Sequence, residues 1–232
     1  MVSEMESMRV LVIAAHPDDE VIGCGATIAR LAMEGKDVFT VILGEGITSR
    51  YPERKAADKK LVKSLREKAK KVAKILGVKD LFLFDFPDNR FDTVPLLDIV
   101  KKIEGVIAVI KPDIVFTHSS CDLNIDHQIT HRAVLTVTRP QKGCSVKEIY
   151  NFEIPSSTEW AFGEFGSFKP NVFFDIGNTI ELKIKTLEIY DSEVREFPHP
   201  RSPEGIKIIG RRWGSVINSE YTEVFQLIRS IR

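Results

Sequence analysis

A histidine, a proline and three consecutive acids, His16-Pro17-Asp18-Asp19-Glu20, stand between an apolar run and a stretch of helical spacing. Of the five histidines, three more (His118, His127 and His131) fall in one later stretch, 118–131, which also holds Asn124 and Asp126. Imidazole and carboxylate are the usual N/O donors of a hydrolytic zinc site, which takes three protein ligands and keeps a fourth position for water. His16 and Asp19 are three positions apart across a strand-to-helix corner, so both side chains can turn toward one point. His118, His127 and His131 are the candidates for a third ligand. A further carboxylate beside such an ion can take the proton of a water, which gives Asp18 and Asp19 separable tasks, one as ligand and one as base. Acids also cap helix N-termini and are favoured there by the helix dipole. A cap needs no histidine ahead of it, however, and four histidines in two loops favour the metal reading.

Those loops need a frame that brings them together. Segment 9–16, "RVLVIAAH", is a continuous apolar run, as in a strand covered on both faces. "VIGCGATIARLAMEG" follows with helical spacing, "DVFTVILGEG" reads as a second strand, and "DKKLVKSLREKAKKVAKILG" as a long amphipathic helix. "DLFLFDFPDN", the helix "PLLDIVKKIEGVIAVIKP", the strand "DIVFTH" and the helix "IDHQITHRAVLTVTRP" continue the alternation. Such β-α-β-α order predicts an α/β fold with a mostly parallel sheet between two helical layers. After Pro140 the pattern loosens into strands at "VKEIYNFEI" and "VFFDI" and helices at "TIELKIKTLEIYDSEV" and "PEGIKIIGRRWGSVI". We expect one domain over 1–232, with a core at about 8–140 and a C-terminal strand and helix elaboration at about 141–232. Ligands of open parallel sheets bind beyond the carboxyl ends of the strands, where both histidine loops fall. A dinucleotide is disfavoured there: Gly23-Cys24-Gly25 lacks the third glycine, Ile28 standing in its place, and the acids would repel a pyrophosphate.

Lysine plus arginine balances aspartate plus glutamate at 33 each, which argues against a nucleic-acid partner. No apolar run approaches the roughly eighteen residues of a membrane span. The N-terminal "MVSEMESM" lacks the basic and apolar regions of a signal peptide. Three cysteines without C-x-x-C spacing suggest neither disulfides nor a zinc ribbon. A cytoplasmic protein is expected, assembling as a homo-oligomer, although no single apolar face marks the contact.

With these residues in view, the sequence resembles the LmbE/PIG-L family of zinc-dependent N-deacetylases. The resemblance rests on A-H-P-D-D-E at 15–20 and N-x-D-H at 124–127, supported by "GEG", "FPD" and "FPHPRSPEG" at 197–205. It implies a Rossmann-like fold, Zn²⁺ held by His16, Asp19 and His127, and Asp18 as general base. Its implied substrate is a small molecule carrying an N-acetylglucosamine-type amino sugar, cleaved to free amine and acetate. Many relatives have His-Pro-Asp-His where this chain has Asn124-Ile125-Asp126-His127. Asn124 can donate a hydrogen bond to an oxyanion but carries no proton, so the proton for the leaving amine falls to Asp18 or to His199. Asp126 is expected to orient His127 or to cap its helix. Glu45, Arg50 and Arg66 are candidates for holding the substrate, and Trp160 for stacking on a sugar, against a buried Trp as the alternative. The competing functions are an amidase for another acylated amine or thiol conjugate, and a non-catalytic metal- or sugar-binding homologue.

Overall fold

The computed structural model describes residues 7–232. The signal-peptide reading rests largely on residues 1–6, which lie outside the described residues. The elements run β1 (Arg9–Ala14), α1 (Asp19–Met33), β2 (Asp37–Gly44), α2 (Lys59–Leu76), β3 (Asp80–Phe86), α3 (Leu96–Ile110), β4 (Ile114–His118), α4 (Ile125–Val137), β5 (Glu148–Phe152), β6 (Val172–Asp175), α5 (Ile180–Ile189), α6 (Pro203–Ile217) and β7 (Thr222–Ser230). The strands form one sheet in the order β3-β2-β1-β4-β5-β7-β6. Pairings from β3 through β5 are parallel, while β7 runs antiparallel to both β5 and β6. This is the expected α/β three-layer architecture, with one strand, β7, that periodicity does not predict.

The continuous apolar character of β1 follows from its central place. Val10 and Val12 point into a core shared with α1, α2 and α5, while Leu11 and Ile13 point into the opposite core with α3 and α4. Helix ends are set by local chemistry: Asp58 caps α2 by accepting from the Lys60 amide, and Ser202 caps α6 by accepting from Gly205. From β1 the chain winds out through β2 and β3, then returns to place β4 on the other side of β1. Such a reversal opens a crevice at the carboxyl ends of the two central strands. His16 follows β1 and His118 ends β4, so the fold delivers both histidine loops to that crevice.

Helix α1 is bent. Cys24 has non-helical dihedrals (φ −153°, ψ 24°), and the backbone groups freed there are met by a buried ion pair. Lys183 Nζ donates to the Ile22 carbonyl at 2.7 Å, and Glu223 accepts from the Ala26 and Thr27 amides at 3.2 and 2.7 Å. The two side chains pair with each other at 2.6 Å. Gly23 sits one residue before the bend because a Cβ there would lie 2.4 Å from the buried Phe152 ring. Gly23 of the G-x-G stretch therefore serves helix-to-sheet packing.

Candidate active site

The N-terminus of α1 turns sharply. Asp18 is its N-cap, with φ 115° and ψ −32°, a backbone region that costs a non-glycine residue energy. Its carbonyl accepts from the Val21 and Ile22 amides at 3.0 and 2.9 Å, yet its side chain makes no capping bond. The carboxylate is left to the cleft, where Arg201 Nη1 lies 3.5 Å from Asp18 Oδ2. Burial, together with the Asp19 charge, pushes the Asp18 carboxyl well above the usual carboxylate range, against the pull of Arg201.

Asp19 is the hub. Its Oδ2 lies 3.2 Å from both His16 Nδ1 and His127 Nε2, and 3.6 Å from His118 Nε2. Although burial works the other way, the facing His127 and His118 hold Asp19 well below its ordinary pKa. Each candidate imidazole ligand is held from behind by a carboxylate. His16 Nε2 donates to Asp126 Oδ2 at 2.8 Å, with Asp88 at 3.3 Å, and His127 Nδ1 faces Asp122 Oδ1 at 3.1 Å. This backing fixes ring orientation and leaves the other nitrogen aimed at Asp19. Burial alone would lower both histidines. Instead the surrounding carboxylates raise His16 well above 6.5 and push His127, chiefly through Asp19 and Asp122, up to about 9.

One donor atom from each of His16, Asp19 and His127 falls within 4.8 Å of the others. His16, Asp88 and Asp126 satisfy the same spacing, but Asp126 is already engaged by the Asn89 and Phe91 amides at 2.6 and 2.9 Å. The first set therefore fits a divalent ion better. Its charge balance agrees, because Asp18, Asp19, Asp88, Asp122 and Asp126 are all buried here. Their ion-pair partners in the cluster are imidazoles and Arg201. His118 is placed differently from the other two: its Nε2 accepts the Ala15 amide at 2.8 Å, its ring stacks on His127, and burial lowers its pKa. His131 holds the His118 carbonyl at 3.0 Å. Both support the site from behind.

The cleft, of about 220 Å³, is lined by His16, Asp18, Asp19, Asn124 and His127, and by the polar rim Ser49, Arg50, Asn89, Glu193, Arg195 and Arg201. Asn124 caps α4 by accepting from the Asp126 amide at 2.9 Å, which leaves its amide nitrogen as donor. Asp126 is fully buried against His16, so it orients that ring and not His127, and it does not reach the cleft. Arg50 lines the cleft but is paired with Glu193. Glu45 is turned away, bound by Arg54 and Thr48. Arg66 is spent on the carbonyls of Leu83 and Phe84 in β3. His199 stands behind the cleft, its Nδ1 accepting the Arg201 amide at 3.1 Å. Trp160, 44% exposed, meets it edge-on with ring centroids 5.4 Å apart, so the buried alternative does not hold. Asp122 and Arg201 are site residues that sequence reasoning misses. The "FPHPRSPEG" stretch does signal the second, but its histidine is the more conspicuous candidate.

The structure defines a three-layer α/β protein with a buried histidine–aspartate cluster at its switch point, a cluster whose donor atoms could hold a metal ion, and comparison with known proteins narrows the class. The family model described as PIG-L, GlcNAc-PI de-N-acetylase, matches residues 11–138, and the chain belongs to that family. It is 27% identical over 234 residues to a diacetylchitobiose deacetylase of Thermococcus kodakarensis, covering 96% of this chain and 84% of that one. It is 30% identical over 175 residues to the uncharacterized deacetylase YaiS of Escherichia coli, covering 71% and 80% of the two chains. In fold it matches the N,N'-diacetylchitobiose deacetylase from Pyrococcus horikoshii with a TM-score of 0.76 at 22% identity, over 97% of this chain and 85% of that one.

Proposed function

We propose that this protein is a zinc-dependent N-deacetylase that removes the acetyl group from an N-acetylglucosamine-type amino sugar. The observation that carries the reading is the meeting of His16, Asp19 and His127 at one buried point, with the uncapped carboxylate of Asp18 beside them. A zinc ion held by those three residues would supply Lewis acidity, polarising the amide carbonyl and acidifying a water. Asp18 takes the proton of the attacking water and, as the tetrahedral intermediate collapses, returns it to the amine nitrogen. Asn124 and Arg201, both on the cleft wall, donate to the oxygen that gains charge. The polar rim of Ser49, Asn89, Arg50 and Glu193 offers both donors and acceptors to sugar hydroxyls. The diacetylchitobiose deacetylases named above support an amino-sugar substrate.

Acetate release from N,N'-diacetylchitobiose tests the reading. The protein should lose turnover on treatment with a chelator and regain it when zinc is restored. Turnover that survives complete metal removal, or a zinc-loaded protein inert toward every N-acetylated amino sugar, would overturn it.

A further inference from the structure

The strained backbone of Asp18 needs something to hold it, and two buried side chains that the reaction scheme does not use are in place to do so. The Asp18 amide donates to Glu20 Oε2 at 3.0 Å, and the Tyr190 hydroxyl donates to Glu20 Oε1 at 2.6 Å. Glu20 is 3% exposed and Tyr190 is fully buried. In an ordinary capping box the cap side chain and an acid in the first turn each bond the other's amide. Here only half of that exchange is made: Glu20 takes the cap amide, and the cap side chain does not reciprocate. The half-box turns the Asp18 amide inward and swings its carboxylate out toward the cleft. An ordinary extended cap would fold that carboxylate back onto the amides of its own helix, where it would be useless as a base.

We propose that Glu20 and Tyr190 are positioning residues that clamp Asp18 in its left-handed conformation and so aim its carboxylate at the reacting water. The inference rests on the reading of Asp18 as the base. Tyr190 directly follows α5 and opens the segment that carries Glu193 and Arg195 to the cleft rim. The clamp thus ties the aim of the base to the wall that contacts the substrate.

The test compares zinc-loaded Tyr190→Phe, Glu20→Gln, Glu20→Ala and Asp18→Asn with wild type on N,N'-diacetylchitobiose. It also follows hydrogen exchange of the Asp18 amide by NMR. Misaiming a reacting group by about an ångström costs up to a hundredfold in rate, so Tyr190→Phe should lower kcat roughly tenfold, and Glu20→Ala further, with KM nearly unchanged. Glu20→Gln should restore most of kcat, because its amide still offers an oxygen to Asp18 and a donor to the Tyr190 oxygen. Exchange at Asp18 should quicken in the Phe and Ala variants and stay slow in the Gln variant. Zinc-loaded Tyr190→Phe and Glu20→Ala proteins with wild-type kcat, beside an inactive Asp18→Asn, would overturn the clamp alone. An active Asp18→Asn would overturn the base assignment and the purpose of the clamp together.

Discussion

Two buried imidazoles, each backed by a carboxylate and each facing Asp19, set the chemistry at the scale of single residues. With no ion bound, the surrounding carboxylates favour the protonated form of both rings, raising His16 well above 6.5 and pushing His127 up to about 9. A metal ligand must be the neutral imidazole, so binding expels those protons. Calorimetric titration of zinc at about pH 7.5, in buffers of different ionisation enthalpy, should therefore show net proton release on binding, at least the proton held by His127. Release near zero would mean that these rings are not the ligands. His16, Asp18 and Asp19 are legible in sequence because a histidine followed by three acids carries more charge than capping a helix requires. Asp122 and Arg201 are not, because their partners lie far off along the chain or out of view in the fold. Asp122 meets His127 through one turn of loop and α4, and Arg201 reaches Asp18 from the far end of the sequence. Arg66 and Glu45 look available in sequence only because it does not show the carbonyls and guanidinium that occupy them.

At the scale of elements, the bend in α1 positions the turn that carries Asp18 and Asp19. Lys183 and Glu223 fill that bend, and both are buried. Removing one member of a buried ion pair strands the other charge, which costs about 3–5 kcal/mol. Lys183→Met should lower the denaturant midpoint accordingly, and adding Glu223→Gln should recover part of the loss, as measured by urea unfolding. A wild-type midpoint for Lys183→Met would mean that the bend needs no brace. Sequence periodicity finds the strands and helices of the parallel half because each apolar stripe repeats within its own segment. It misses β7 for a physical reason. The strand opens with Thr222 and Glu223, polar residues whose burial depends on α1 and α5, and it slots between β5 and β6 out of chain order. Neither the ion pair nor the slot has a local signature.

For the whole molecule, the reversal of strand order beside β1 gathers residues from 16 to 201 around one cleft, so the site and the fold share their stability. No helix among the described residues is long and apolar enough to cross a membrane. The raised histidine makes global stability depend on pH with a definite sign. A group whose pKa rises on folding stabilises fully below its unfolded value and loses that contribution as pH climbs through its folded value. His127 moves from 6.5 to about 9, so the melting temperature of the metal-free protein should fall between those limits. Asp18, also raised, acts in the same direction. Zinc should reverse the trend, since an ion that binds only the folded state stabilises by mass action and binds better as protons leave. A metal-free melting temperature that rises over this range would contradict the charge balance described for the site.

Turnover of zinc-loaded Asp18→Asn tests the central claim, that a carboxylate beside a His16–Asp19–His127 metal site performs the deacetylation. Asparagine keeps the shape of the side chain and removes its ability to take a proton. Acetate release from N,N'-diacetylchitobiose should fall by about 10²–10⁴-fold, with zinc content unchanged and the fold retained. A variant that folds, binds zinc and keeps the wild-type rate would contradict the account.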